Sequence, residues 1–289
     1  MVHVNGFTYG ALTPVLGYAL STLGCFLGLR CTSRARALHG AQRARWLLLA
    51  ALSIATTGIW VMHFVAMLGF TIPGQTITYD VPVTILSMLI ALAVVFVGLL
   101  IVGFGSTGWR TLALGGLIIG CGVASMHYVG MAAMRMPDTM GYDNTVVVLS
   151  VLIAVVAGTA ALWAALRLTA VWSTLAASLI MGVAVSGMHY TGMAAMHVYS
   201  PAEPGMLTGM SGGVSAAAFL LPLIIGISLL ASAVTVVISL SPTEAEIRED
   251  AALMARITGR AAEAAGPVQQ PPRSGPDHPE AGRWFRPGS

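Results

Sequence analysis

Charged side chains are scarce in this sequence, and their scarcity limits what the chain can be. Only 9% of the 289 residues are charged, whereas soluble domains carry about 25%. Hydrophobic residues make up 56% of the chain, and they recur in runs of about 20, the length that crosses about 30 Å of hydrocarbon as a helix. Backbone groups in lipid must be satisfied within their own segment. The predicted fold class is therefore all-α, a polytopic membrane protein with seven transmembrane helices.

Cysteine is also rare, and catalytic patterns are missing. The three cysteines, Cys25, Cys31 and Cys121, fall in or near the apolar runs, so no disulfide framework is indicated. No paired carboxylates, Ser/His/Asp set or phosphate-binding loop stands out, so no enzymatic activity is predicted. The net charge of +3 follows from arginines placed by membrane topology, and nucleic acid is not a predicted partner.

The predicted spans alternate in direction across the membrane. They cover residues 9–29, 46–70, 83–104, 111–134, 146–166, 174–197 and 216–240. Arginines cluster between the first two spans, and Arg110 and Arg167 adjoin the fourth and fifth spans on the same side. The positive-inside rule places this side in the cytoplasm. The predicted location is a cell inner or plasma membrane, with the amino terminus outside and the carboxyl terminus cytoplasmic.

Composition changes after the seventh predicted span, which gives three predicted regions. Residues 8–240 form the seven-helix membrane domain. Pro242 in a first turn, followed by acidic residues, predicts a short cytoplasmic amphipathic helix over 241–265. Residues 266–289 are rich in Pro, Gly and Gln, and they are predicted to be disordered. The segment after residue 240 is expected to be too short for an appended catalytic domain of ordinary size.

A motif of Met, His and an aromatic residue recurs in alternate spans. The copies are Met62-His63-Phe64-Val65, Met126-His127-Tyr128-Val129 and Met188-His189-Tyr190-Thr191. The histidines are 64 and 62 residues apart, and each is followed by Met four residues later. Tyr79-Asp80 and Tyr142-Asp143 also recur, 63 residues apart, before the next spans. These periods predict internal two-helix repeats, and an ionisable residue within a span is a functional candidate.

The three motifs are predicted to form one site. Spans 2, 4 and 6 run parallel, so their histidines lie at a similar depth, seven to ten residues from the outer ends of the predicted spans. Positions i, i+4, i+7 and i+8 share one face of a helix, which places further donors beside each histidine. The predicted metal ligands are His63, His127, His189, Met67, Met131 and Met193. Possible additional ligands are Met62, Met126, Met188, Met134, Met196 and His197.

The donor types in this predicted pocket favour copper. Imidazole and thioether ligands suit copper, and Cu(I) especially. Zinc would be expected to recruit a thiolate or a carboxylate, and neither stands beside these histidines. Haem is the alternative cofactor, because His and Met both serve as axial ligands. Small residues such as Gly130 and Gly192 next to the predicted ligands would let the helices approach closely.

Three Met-His-Tyr-Thr-like motifs in alternate members of seven spans resemble the MHYT-domain family of bacterial integral-membrane sensors. Only the copy at Met188-His189-Tyr190-Thr191 is complete, and the resemblance covers about residues 8–240. It implies copper bound by the motif His and Met near the outer face of the membrane. It also implies a response to a diatomic gas such as oxygen, carbon monoxide or nitric oxide, and it points to cytoplasmic signalling output.

The main hypothesis is a membrane sensor of a diatomic gas or of redox state, with the lipid bilayer and an unknown cytoplasmic signalling protein as partners. A copper transporter or chaperone is the first rival, and it should offer further soft or polar ligands along a path. Below the motifs the sequence offers only Cys121, beneath His127. A haem-binding membrane protein is the second rival, and a purely structural membrane scaffold is the third.

Overall fold

The computed structural model describes residues 8–72, 76–105, 108–199, 214–240 and 254–258. The chain divides into two units, Met1–Pro242 and Thr243–Ser289. The predicted cytoplasmic helix at 241–265 is described only at 254–258, which are helical, and the predicted tail at 266–289 lies outside the described residues.

The first unit is mostly helical, with short strands between some of the helices. The helices are α1 (Leu12–Arg36), α2 (Gly40–Leu68), α3 (Val81–Phe104), α4 (Trp109–Ala132), α5 (Asn144–Arg167), α6 (Val171–Ala194) and α7 (Ala216–Leu240). The strands are β1 (Thr78–Tyr79), β2 (Met134–Arg135), β3 (Thr139–Tyr142), β4 (Met196–Tyr199) and β5 (Val214–Ser215). The predicted all-α fold class is therefore correct for the spans, but it did not include the short strands in the loops.

Six helices, α1 to α6, are long and apolar enough to cross a membrane. The seventh predicted span coincides with α7, whose described apolar stretch, Ile224–Ile238, is shorter than the other six. Many large apolar side chains on the outer faces of the bundle are exposed, as contact with lipid requires. The chain is thus a multi-pass membrane protein, and a seventh span stays a prediction.

The arginine-rich turn between the first two spans is shorter than predicted. Helix α1 continues to Arg36 and α2 begins at Gly40, so all five arginines of this segment lie on helices. Three of them donate from their guanidinium groups to carbonyl oxygens at the last turns of other helices. Arg43 Nη1 reaches Gly103 O of α3 at 2.8 Å, and Arg34 Nη2 reaches Ile238 O of α7 at 2.6 Å. These carbonyls have no partner within their own helix, which explains why both helix ends extend to meet them.

The bundle has two chemically distinct ends. The basic end contains Arg34, Arg36 and Arg43. The motif end contains the last residues of α2, α4 and α6, which are Leu68, Ala132 and Ala194. Helices α2, α4 and α6 run from the basic end to the motif end, and α1, α3, α5 and α7 run the other way.

Helix α2 forms the centre of the bundle. In its most apolar stretch 83% of the residues are buried, against 22–44% for the other five spans. Its middle, Ser53–Val61, is a π-helix with every residue buried. The hydroxyls of Ser53 and Thr56 donate to the carbonyls of Leu49 and Leu52, at 2.9 and 2.5 Å. Such wide turns are rare in helices and are frequent at functional sites, and this one leads directly into the first motif.

Helix α1 packs on the π-helical turns through two glycines. A Cβ atom at Gly24 would lie 2.3 Å from the amide nitrogen of Gly58 and 2.7 Å from the carbonyl oxygen of Ser53. Both are backbone atoms, which cannot turn aside as a flexible side chain would. Close approach at small residues is the usual way in which membrane helices associate.

Replacement of Gly24 by alanine should therefore lower the stability of the bundle by about 1–3 kcal/mol, the usual cost of overpacking. Gly226→Ala in α7 is the matched control, because a Cβ there meets nothing within 4 Å. Both variants gain helix propensity, so the difference between them isolates the clash. Unfolding temperatures in detergent measure it, and equal temperatures for the two variants would contradict the close contact.

Two aspartates repeat the same structural role at the motif end. Asp80 N donates to Ala133 O and Asp143 N donates to Ala195 O, each at 2.8 Å. The carboxylate of Asp80 then caps α3 by accepting from Val83 N at 3.1 Å. That of Asp143 caps α5 in the same way. Each aspartate thus joins the start of one helix, α3 or α5, to the end of the motif helix that follows it in the chain, α4 or α6. This bond is the structural form of the repeat seen in the sequence.

The Asp80 carboxylate should make stability depend on pH. Its hydrogen bond with Arg135 (Nη2 to Oδ2, 2.5 Å) and the bond from Val83 N lower the pKa of Asp80 below its usual value. A lowered pKa in the folded state adds stability above the pKa of the unfolded chain, about 4, and this stability disappears as the pH falls through the folded value. Asp80→Asn should therefore flatten the loss of unfolding temperature in acid, and an unchanged acid profile would refute this role.

Candidate metal centre

The three motif histidines lie at the same level of the bundle. His63, His127 and His189 each lie five residues before the last residue of α2, α4 and α6. This is closer to the helix ends than the seven to ten residues expected, because α4 and α6 end sooner than predicted and the chain continues there into strands β2 and β4. All three side chains are buried, with exposed fractions of 1% or less.

The three imidazole rings face one another in a nearly equilateral triangle. Their centroids are 4.9 Å apart for His63 and His127, 4.9 Å for His63 and His189, and 5.1 Å for His127 and His189. His63 Nδ1 lies 3.0 Å from His189 Nδ1 and 3.1 Å from His127 Nδ1. One nitrogen of each ring therefore points toward a common centre.

Motif glycines make room for the rings. A Cβ atom at Gly130 of α4 would lie 2.6 Å from His63 Nε2, and one at Gly192 of α6 would lie 2.4 Å from His127 Nε2. Both glycines follow their own motif histidine by three residues, and the corresponding residue of the first copy is Ala66. Each of these two rings thus lies against the backbone of the next motif helix, which is the close approach expected at Gly130 and Gly192.

The triangle matches the requirements of a metal site closely. A metal–nitrogen bond of about 2.0 Å places the nitrogens of a trigonal site about 3.5 Å apart. The two Nδ1 pairs that include His63, at 3.0 and 3.1 Å, would each lengthen by about half an ångström. Among the described residues, these three histidines are the group of His, Cys, Asp and Glu side chains that could hold an ion. The outward Nε2 atoms of His63 and His127 are buried and have no hydrogen-bond partner within the described ranges.

The methionines surround this triangle at several positions. Most of the predicted thioether ligands are buried, and Met193 is partly buried. The fully buried ones are Met62, Met67, Met126, Met131 and Met188. Met62 packs on α1, since its Cγ would lie 3.4 Å from a Cβ at Gly17. Their role as ligands stays a prediction.

Three of the possible additional ligands lie in the strands of the motif end. Met134 in β2 pairs with Tyr79, and Met196 in β4 pairs with Tyr142. His197 pairs with Gly141 and is partly exposed. The triangle does not include His197. Helical spacing placed it on the ligand face, but the helix ends at Ala194 and the strand turns this residue elsewhere.

An apolar cavity of about 50 Å³ lies inside the bundle among residues from α1 to α6. Its wall is almost entirely aliphatic, but it also includes Cys25, Met181 and Met188, the last being next to His189. This cavity was not predicted from the sequence, although the seven-residue spacing of Met181 and Met188 on α6 was a signal for it. Cys121, the one deeper soft ligand that was expected, is exposed on the outside of α4.

Each motif glycine should control the ring that lies against it. Gly130→Ala should displace His63, and Gly192→Ala should displace His127, because the new Cβ would overlap the imidazole. Gly187→Ala is the control, since a Cβ there meets nothing within 4 Å. Solid-state NMR of protein with isotope-labelled histidine measures the ring-nitrogen signals. The two variants should each shift the signal of a different histidine, and an unchanged spectrum would contradict the packing.

Comparison with known proteins agrees with the repeat. A family profile described as MHYT, the bacterial signalling protein N-terminal repeat, matches residues 57–115, 120–178 and 182–248. Each match contains one motif histidine, and the matches follow the period found in the sequence. No solved structure matches this chain.

Several curated bacterial proteins are similar to the chain. MucR of Pseudomonas aeruginosa, a bifunctional diguanylate cyclase/cyclic di-GMP phosphodiesterase, is 36% identical over 83% of this chain and 35% of its own length. The cyclic di-GMP phosphodiesterase NbdA of the same species is 42% identical over 50% of this chain and 19% of its own length. An uncharacterized signaling protein of Caulobacter vibrioides is 33% identical over 68% and 24%. The chain thus spans about a third or less of the length of these relatives.

Proposed function

This chain belongs to the MHYT family of bacterial signalling proteins, and we propose that it is a membrane sensor that binds copper through His63, His127 and His189. The observation that carries the proposal is the buried triangle of Nδ1 atoms. The group contains neither thiolate nor carboxylate, and imidazole with neighbouring thioethers suits copper better than zinc. The distribution of arginines supports a site on the extracytoplasmic side.

The signal is a diatomic gas or a change of redox state at the copper. Three imidazole nitrogens would hold a copper ion and leave a coordination position open to a small ligand. The cavity beside Met188 has about 50 Å³ and apolar walls, which is more than the roughly 10–15 Å³ that one water needs. Oxygen, carbon monoxide and nitric oxide dissolve in such surroundings, so the cavity would hold a gas molecule inside the bundle near Met188, the residue before His189.

Haem fits this site less well than a single ion. The ring centroids are 4.9–5.1 Å apart, which leaves no slot for a macrocycle between opposing axial ligands. The apolar cavity deeper in the bundle is also far smaller than a porphyrin. The geometry therefore favours copper over haem.

The strands of the motif end supply a route for the signal. Strand β2 follows the end of α4 and pairs with β1, and β1 also pairs with β5, which leads into α7. Helix α7 packs against the π-helical part of α2. A change in the spacing of the motif helices would thus reach α7 from two directions. This mechanism needs only two arrangements of the helices that bound copper would stabilise unequally.

The partner that receives the signal is a cytoplasmic protein of cyclic di-GMP turnover. Support comes from the names of MucR and NbdA, which describe cyclic di-GMP enzymes. No catalytic set is predicted in this chain, and the alignments cover only 35% and 19% of those two relatives. The sensing role, rather than catalysis, is therefore what we assign to the aligned region.

Metal analysis of the purified protein tests the proposal. The wild-type chain should contain about one copper ion, since one triangle of nitrogens accommodates one ion. A variant with alanine at all three positions of the triangle should contain none. His39→Ala is the control, because His39 is exposed at the start of α2. The reduced wild-type protein should also give a carbon monoxide stretching band that the triple variant lacks.

Copper that remains in the folded triple variant, or a wild-type protein unable to take up copper, would refute the proposal. Circular dichroism establishes that the triple variant is folded. If the triple variant loses its copper but the wild-type protein shows no carbon monoxide band, the proposal of a metal site stands and the proposal of a gas ligand is wrong.

Copper transport is a second candidate, and one observation favours it. Cys25, Met181 and Met188 line the cavity that lies deeper in the bundle than the triangle, and their sulfur atoms are ligands that Cu(I) prefers. Radioactive copper flux into proteoliposomes separates the candidates. A transporter should lose its flux in Cys25→Ser, whereas a sensor should show no flux above that of empty vesicles.

A further inference from the structure

A second cavity, of about 240 Å³, lies at the basic end of the bundle. Residues of α1, α2, α3 and α5 line it, so it is remote from the histidine triangle. Its polar side consists mainly of Arg36 and Arg43, and its apolar side includes Leu47, Leu99 and Val102. The wall is therefore cationic on one side and hydrocarbon on the other.

No carboxylate in the described residues balances these two arginines. The described residues contain three carboxylates, Asp80, Asp138 and Asp143, and all of them lie in the loops of the motif end. A guanidinium group is always charged in a protein, so within the described part of the chain the two positive charges of the cavity are offset only by backbone dipoles.

Each guanidinium group has five N–H donors, and the hydrogen bonds of the two arginines to carbonyl oxygens leave some of these donors for a ligand. Arg36 donates from Nη1 to Leu166 O at 2.6 Å and from Nη2 to Leu168 O. Its Nε is buried and has no partner among the described residues. Arg43 donates from Nε and Nη1 to the carbonyls of Leu38 and Gly103. These bonds hold both guanidinium groups in place beside the cavity, so little side-chain freedom remains to be lost on binding.

We propose that this cavity binds the phosphate of an anionic phospholipid. The fixed guanidinium groups suit a phosphate, and the aliphatic wall suits the start of an acyl chain. The position of the cavity at the basic end also suits a lipid, because basic pockets between spanning helices on the cytoplasmic side are typical sites for anionic head groups. A free phosphate ion would use the arginines and leave the apolar wall without a function. The lipid would join the basic ends of α1, α2, α3 and α5, where these helices have no strands to connect them.

Native mass spectrometry of the full chain, with phosphatidylglycerol, phosphatidylcholine or inorganic phosphate added, tests the site. The wild-type protein should retain phosphatidylglycerol in preference to phosphatidylcholine. Arg36→Gln should reduce the retained phosphatidylglycerol about fivefold, the effect of removing one cation near an anionic lipid. Ala35→Leu, which narrows the cavity without changing its charge, should reduce it as well.

Arg45→Gln is the matched control, since Arg45 is exposed on α2 two residues from Arg43 and does not line the cavity. It should leave lipid retention unchanged. Equal retention of the two lipids, or an equal loss in Arg36→Gln and Arg45→Gln, would overturn the proposal. Retention of inorganic phosphate that requires Arg36 and displaces the lipid would assign the site to a free anion instead. Unfolding temperatures establish that the variants are folded.

Discussion

The contact of three imidazole rings within the bundle is the constraint on which the rest of the structure depends. Three histidines from parallel helices can face one another only where those helices come close, and at Gly130 and Gly192 the neighbouring ring occupies the place of a side chain. The same constraint fixes the levels of α2, α4 and α6, because each histidine must lie at the same height. The connecting helices then have to return between them, which gives the alternating bundle its order.

The two ends of the bundle handle their unpaired backbone groups differently. At the motif end, short strands and the amides of Asp80 and Asp143 connect one helix to the next. At the basic end, arginines of α1 and α2 donate to the last carbonyls of α3, α5 and α7. The two ends are thus held together by different means, by backbone pairing at the motif end and by side-chain hydrogen bonds at the basic end, where α7 also ends.

The sequence predicted the parts of this structure that depend on periodicity and repetition. The 64- and 62-residue intervals placed three histidines on parallel helices at one level, and the structure brings these histidines together in a group that could hold a metal ion. Helix ends were less predictable, because hydropathy shows where lipid contact stops and not where hydrogen bonding stops. Arg36 illustrates this, since it ends α1 well beyond the apolar run. His197 illustrates the opposite error, as a strand begins before it. Other features were not predicted at all, such as the π-helical turns at Ser53–Val61, against which Gly24 packs from another helix.

The position of His63 between its two neighbours has a consequence for the metal-free protein. Its Nδ1 bears at most one hydrogen, yet it faces His127 and His189 at almost equal distances of 3.1 and 3.0 Å. In either tautomer this nitrogen makes one well-directed hydrogen bond, so two pairings compete, one joining α2 to α4 and the other joining α2 to α6. A bound cation would occupy all three lone pairs and remove the choice between them. Binding of an ion would thus replace a hydrogen bond that joins two helices at a time by bonds that join α2, α4 and α6 at once.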